Sequence, residues 1–204
     1  REGWPTGQEI QATLRFSKMI SDGEIHNVKR SLTLLGTFGG LGSRSRRAFG
    51  SLSLIGFDGE IVETNSVQAI RDSLSALTPG ESRDGELPPF TAFSRHSQVA
   101  FLPAANDAFA AHDRLGTAYR NFRGQPGTLR GAVKIPLGLP LKGVDESNRR
   151  GSPLLMHIHE VGERFIPSVL FLPAHFRPNI RNSDRIEYFK VAKMWMNELN
   201  GVST

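Results

Sequence analysis

The stretch from Gly36 to Gly50 holds the residue types best suited to gripping an anion. It reads Gly-Thr-Phe-Gly-Gly-Leu-Gly-Ser-Arg-Ser-Arg-Arg-Ala-Phe-Gly, with five glycines, two serines and three arginines. Glycine lets the backbone take positive φ and lets another backbone approach closely. A row of small residues, here Gly39, Gly40, Gly42, Ser43 and Ser45, leaves amide N–H groups open to cradle an anion. Arg44, Arg46 and Arg47 add planar forks that match phosphate. From Ile25 to Phe57 there is no Asp or Glu, while Lys29, Arg30 and the three loop arginines give a local charge equal to the +5 of the whole chain. A positive stripe beside a glycine loop is the footprint of a phosphate-backbone binder; the plainer alternative is a solvated basic loop.

Two nucleotide-binding fingerprints fail on this loop. A Walker A motif needs Gly-Lys-Ser/Thr, and no Lys of the chain precedes Ser or Thr. A dinucleotide fingerprint needs a third glycine where Ser45 stands. The loop also follows a helix and leads into a strand, the reverse of the dinucleotide order. A polymeric phosphate partner gains accordingly.

The remaining chemistry-bearing residues are fewer. His157 and His159 sit two apart on an expected strand and so share a face. Three roles are open to them: metal ligands, a general acid–base pair, or exposed histidines that touch RNA or a partner, base stacking included. A metal site would need a third ligand, and neither a cysteine nor a His-Glu-x-x-His pattern supplies one. Arg149-Arg150 is a second basic spot, either a phosphate contact or a solvated turn. His112-Asp113 lacks the helical bundle that an HD phosphohydrolase requires and reads as a solvated helix face. Phe38 and Phe49 flank the glycine loop, placed either to stack on splayed bases or to anchor the loop to the core. No nucleophile elbow, Ser-His-Asp order or paired carboxylate stands out, so no catalytic residue is assigned and no cofactor or metal is implied.

The elements that must position these residues follow from periodicity. Gln8–Phe16 alternates Ile10, Ala12, Leu14 and Phe16 with polar neighbours and predicts a half-buried strand. Ser21 and Glu24 form a capping box, opening a helix with Ile25, Val28, Leu32 and Leu35 on its apolar face and Gly36 as its stop. A strand is predicted over Ser51–Phe57, then an Asp58-Gly59 turn and a helix over Val67–Leu77. Thr78–Pro89 reads as a loop or linker. A strand at Gln98–Leu102, a helix at Ala104–Phe122, a turn at Gly124–Gly127, a strand at Val133–Ile135 and a loop at Gly138–Gly143 come next. Leu154–His159 and Phe165–Leu172 pair as a hairpin about Val161-Gly162-Glu163-Arg164. A second capping box, Asp184 and Glu187, opens a terminal helix facing inward through Tyr188, Val191, Ala192, Trp195 and Leu199. Strands, hairpins and helices in this order indicate an α+β fold, with halves at 1–78 and 79–204 or one merged domain. No apolar run reaches the roughly 20 residues that span a bilayer, and the lack of cysteine fits a cytoplasmic protein.

Leu35–Leu52, Leu-Gly-Thr-Phe-Gly-Gly-Leu-Gly-Ser-Arg-Ser-Arg-Arg-Ala-Phe-Gly-Ser-Leu, resembles the glycine-rich signature of the RAMP superfamily of CRISPR–Cas proteins. It is most similar to the Cmr-type subunit that caps one end of type III-B RNA-targeting complexes. A second match runs through Gly138-Leu139-Pro140, Arg149-Arg150-Gly151-Ser152-Pro153-Leu154 and Leu172-Pro173-Ala174-His175-Phe176, so the resemblance covers about residues 30–178. Ala48 departs from it, since the family more often has Gly there. The resemblance implies a ferredoxin-like, RRM-related fold in one or two copies. It further implies a non-catalytic subunit that binds CRISPR guide RNA, with target RNA and other Cas subunits as further partners. On that reading the loop amides, Arg44, Arg46 and Arg47 meet phosphates, and Ser43 and Ser45 donate to RNA oxygens. The alternative is a metal-independent endoribonuclease with His157 and His159 as acid and base and Arg149 or Arg150 as charge stabiliser. A weaker third reading is a stand-alone RNA-binding module.

Overall fold

The computed structural model describes residues 7–57, 60–61, 65–78, 87–88, 91–124, 137, 152–174 and 182–201, the last segment by its backbone alone up to 189. Along them the chain forms α1 (Asp22–Phe38), β1 (Gly56–Phe57), β2 (Glu60–Ile61), α2 (Val67–Leu77), β3 (Gln98–Phe101), α3 (Ala108–Gly124), β4 (Leu154–Val161), β5 (Arg164–Phe171) and α4 (Asn182–Gly201).

The centre is an antiparallel sheet in the order β3–β5–β4. β4 and β5 are joined by a two-residue hairpin, where Gly162 takes the positive φ of 59° that such a loop needs at its first central position. Both faces of this sheet are covered. Ala100, Met156, Val169 and Phe171 pack under α3 and α4, together with Leu115, Phe122 and Trp195. Val99, Phe101, Leu170 and Leu172 point the other way, against Leu34 and Phe38 of α1 and Ile70 and Leu74 of α2. Burial on two sides explains why β4 and β5 read as nearly continuous apolar runs instead of clean alternation. Trp195 anchors the first layer, stacked on Phe122 at 5.4 Å and tilted against Tyr119 at 5.1 Å.

Local chemistry sets the helix starts. The Ser21 hydroxyl accepts from the Glu24 N–H while the Glu24 carboxylate accepts from the Ser21 N–H at 2.8 Å, the reciprocal box expected from the sequence. Ser66 caps α2 through the Ala69 N–H at 3.0 Å. α3 begins at Ala108, four residues later than expected, because Asp107 accepts from the Ala110 N–H and ends the preceding turn. α4 already runs at Asn182, so Asp184 lies inside the helix and is not its cap.

Three further expectations are corrected. Gln8–Phe16 pairs with nothing among the described residues: it forms no ladder, and Ile10, Leu14 and Phe16 are exposed. Alternation alone does not make a strand; an open edge must receive it, and the β4 edge is taken by the glycine loop. Ser51–Phe57 is likewise extended, but only Gly56–Phe57 pairs, with Glu60–Ile61, while Ser51 bridges Gly40. Gly36 does not stop α1, which continues to Phe38. Gly36 is instead where the chain after the loop crosses the helix: an added Cβ would strike the Leu54 side chain and lie 3.0 Å from the Leu54 amide nitrogen. The turns at Asp58-Gly59 and after Gly124, the Val133–Ile135 strand, the Gly138–Gly143 loop and most of Thr78–Pro89 lie outside the described residues.

Gly36 yields a test because helix propensity and packing oppose each other there. Gly36→Ala should gain up to about 1 kcal/mol of helix propensity but lose about 1–3 kcal/mol to overpacking. A net loss in urea unfolding is therefore expected. Gly116→Ala in α3 meets nothing within 4 Å, so it should instead stabilise by about 0.5–1 kcal/mol. Equal gains in both variants would refute the crossing at Leu54.

Candidate nucleic-acid interface

The glycine loop leaves α1 at Gly39, whose N–H still bonds the Leu35 carbonyl at 2.8 Å. Its two ends then meet. Gly40 bridges Ser51, and the Leu41 N–H donates to the Gly50 carbonyl at 2.9 Å. Gly50 has φ of 65°, and a Cβ there would collide with the Leu41 carbonyl oxygen, so the pinch needs glycine on both grounds. Between the ends the chain winds through two tight turns, with the Ser45 N–H bonded to the Gly42 carbonyl and the Arg47 N–H to the Arg44 carbonyl at 2.8 Å. Ala48 closes them at φ 63°, a left-handed conformation that ordinarily favours glycine.

The returning arm lies along the outer edge of β4. The Met156 N–H donates to the Arg46 carbonyl at 3.2 Å, and the Ile158 N–H donates to the Ser51 hydroxyl at the same distance. That hydroxyl donates in turn to the Ala48 carbonyl at 2.9 Å. The loop thus rests on a rigid strand, with its tip at Leu41–Arg44 exposed.

The arginines of the stripe divide into two groups. Arg47 is half-buried, its guanidinium 4.2 Å from the Tyr119 ring centroid, and its carbonyl accepts from the His112 Nε2–H at 3.2 Å. Arg30 donates from Nε to the Leu77 carbonyl and ties α1 to the end of α2. These two have structural partners. Arg44 and Arg46 are exposed. Arg44 lies over the Phe49 ring at 5.7 Å, and one donor of Arg46 reaches the Ser152 carbonyl. A guanidinium has five N–H donors, so such contacts orient it and leave room for an anion. Ser43 is exposed and Ser45 partly so. Arg149 and Arg150 lie outside the described residues.

Phe38 is fully buried and anchors the helix end, whereas Phe49 is 46% exposed and packs edge-on against His112 at 4.3 Å. His112 is therefore not a solvated helix residue: it holds the loop through Arg47 and Phe49. Sequence reasoning missed His112, Tyr119 and Ser152 as supports of the loop. Only the spacing of Tyr119 on the inner face of α3, one turn from Leu115, hinted at it.

His157 and His159 do share a face, but it is not an open one. They are 2% and 4% exposed, because α1 and the loop cover that side of β4. The rings lie 4.5 Å apart. His157 Nδ1 is 2.7 Å from the Gly39 carbonyl, and the Leu52 backbone also faces the ring. His159 Nε2 is 2.7 Å from the Ser168 hydroxyl, and the ring packs against Phe38 and Phe101. Burial pushes His157 down from the ordinary 6.5 to about 4, against the two carbonyl contacts that favour its charged form. Burial, then the neighbouring His157, holds His159 well below the ordinary range. The expected exposed histidine strand is thus a closed, neutral pair that fastens the start of the loop to the sheet. Among the described residues no three His, Cys, Asp or Glu converge as metal ligands, and no helix is long and apolar enough to cross a membrane.

No protein-family model matches the chain. In sequence it is 25% identical, over 91% of its length, to the CRISPR system Cmr subunit Cmr1-1 of Pyrococcus furiosus, of which it spans 59%. In structure it is similar to crystalline apo Cmr1 from the same organism, with a TM-score of 0.56 and 24% identity over 88% of this chain and 58% of that one. The chain therefore spans about three-fifths of the relative it matches. Sequence and fold thus agree in their likeness to Cmr1.

The buried histidines predict the pH dependence of stability. Their folded-state values lie below the ordinary one, so the unfolded chain binds protons that the fold refuses as pH drops below about 6.5. Stability is complete above that value and should fall as the pH drops, by about 1.4 kcal/mol per pH unit for His157 on the way to pH 4, with His159 adding to the loss in the same direction. Urea unfolding at pH 7 and pH 5 measures it. His157→Gln should flatten the slope, and equal stability at both pH values in the wild type would contradict the closed pair.

Proposed function

Taking the likeness to Cmr1 as premise, we propose that this chain is an RNA-binding subunit of a type III-B CRISPR effector complex. It holds guide RNA through the phosphate backbone and contributes to the binding of target RNA. The observation that carries the reading is the exposed pair Arg44 and Arg46 on a glycine loop clamped to a sheet edge. Such donors fix the register of a strand without reading its sequence, and the specificity of a guided complex comes from base pairing. Among the described residues, the order β3–β5–β4 with α3 and α4 on one face is compatible with the first three strands of a ferredoxin-like unit, and supports the RAMP reading. Arg149 and Arg150 are proposed as further phosphate contacts from the sequence alone. Other Cas subunits are the proposed protein partners, and the cytoplasm the proposed place of action.

The endoribonuclease reading asks His157 and His159 to reach RNA as acid and base. Their enclosure beneath α1 and their bonds to Gly39 and Ser168 favour binding over cleavage by this pair. They serve the proposed site from below, as anchors of the loop.

The test is the affinity for single-stranded guide RNA as a function of salt. Arg44→Ala/Arg46→Ala should lower the log–log slope by about one to two, the signature of lost phosphate contacts. Arg47→Ala should leave most of the slope and instead cost about 1 kcal/mol of stability through the lost contact with Tyr119. A double variant with unchanged affinity and slope would remove the loop from the RNA surface.

A further inference from the structure

Beside the glycine loop lies a shallow cleft of about 380 Å³, between α1, the loop and β4. That is near the lower end, roughly 300 Å³, of small-ligand sites. Its floor is apolar: Leu34, Leu155 and the ring of Phe93, which is half-buried and backed by Phe38 at 6.2 Å. Its rim is polar: Ser31, Ser45 and Arg46. The segment that builds the α1 and loop walls carries no acidic residue.

We infer that this cleft receives one unstacked nucleobase of the bound RNA, laid on Phe93, while Arg46 holds the adjoining phosphate. The inference rests on the proposed RNA-binding function and names what the site takes besides phosphate. Three observations carry it. An aromatic ring on an apolar floor gives a base something to stack on. The guanidinium at the rim is already oriented by the Ser152 carbonyl, and so is poised for the phosphate of the same nucleotide. The Ser31 hydroxyl donates to the Asn27 carbonyl at 2.8 Å, which leaves it lone pairs to offer. It can therefore accept from an N–H on the edge of the seated base. An apolar side chain of a protein partner would fill the floor equally well, but it gives the positive rim nothing to pair with.

The experiment uses single-stranded RNA with 2-aminopurine at successive positions, titrated with the intact chain. At one position the fluorescence should fall on binding, as the base stacks. Phe93→Leu should abolish that change and weaken binding about ten-fold, within the range of base–aromatic stacking. Phe93→Tyr should keep both. Ser31 is exposed on α1, so Ser31→Phe should block the cleft and remove the signal with the melting temperature unchanged. This variant protects the test should Phe93→Leu disturb the fold. If RNA binds with its full salt slope but the fluorescence is indifferent to both variants, the base pocket is overturned and the groove passes to an apolar group of a protein partner. If the wild type binds no RNA, the phosphate reading fails and the pocket with it.

Discussion

The outer edge of β4 is the constraint on which the rest of the structure depends. A strand edge carries amide and carbonyl groups that need partners, and an unmet buried amide costs on the order of 1–3 kcal/mol. Here the partner is no further strand but the return arm of the glycine loop. Met156 and Ile158 donate to Arg46 and Ser51, and His157 meets the Gly39 carbonyl. One set of bonds thus satisfies the sheet and immobilises the loop. A loop so rich in glycine is costly to order on its own, because glycine loses the most backbone freedom on folding. Held against β4, it presents its exposed tip from a fixed base.

The same constraint explains the histidines. A side chain on the loop-covered face of β4 must fill space between the sheet and α1 while meeting the carbonyls that end the helix. A neutral imidazole does both, with an apolar ring for Phe38 and Phe101 and an N–H for a carbonyl. Their placement beneath the loop makes them structural supports of the loop, in keeping with a pair held uncharged by burial.

Charge in this region has two uses that sequence alone does not separate. Arg30 and Arg47 are absorbed by the fold, one on the end of α2 and one on Tyr119. Arg44 and Arg46 stand exposed at the loop. The stacked pair Arg47–Tyr119 also ties the loop to α3, so the loop is fastened from the β4 edge and from a helix in the other layer. The cleft beside Arg46 adds an apolar floor to a site that charge alone would describe as purely electrostatic.

Much of this protein was legible before folding, wherever the determinant is local. The capping box at Ser21, the span of α2, the hairpin around Gly162 and the burial of Val191, Ala192, Trp195 and Leu199 on α4 rest on near-neighbour chemistry and period, and each formed as read. The glycine loop and its localised charge were legible for the same reason, since composition states what a backbone is free to do. Tertiary structure decided the rest. Gln8–Phe16 has the alternation of a strand but joins no ladder among the described residues, and Gly36 looks like a helix stop but serves a crossing by Leu54. His157 and His159 looked exposed because period 2 assigns two residues to one face without saying what covers it; α1 and the loop, more than a hundred positions away, do so. Which arginines remain for a ligand is settled by where Tyr119, Leu77 and Ser152 come to lie, and such long-range neighbours are invisible to spacing.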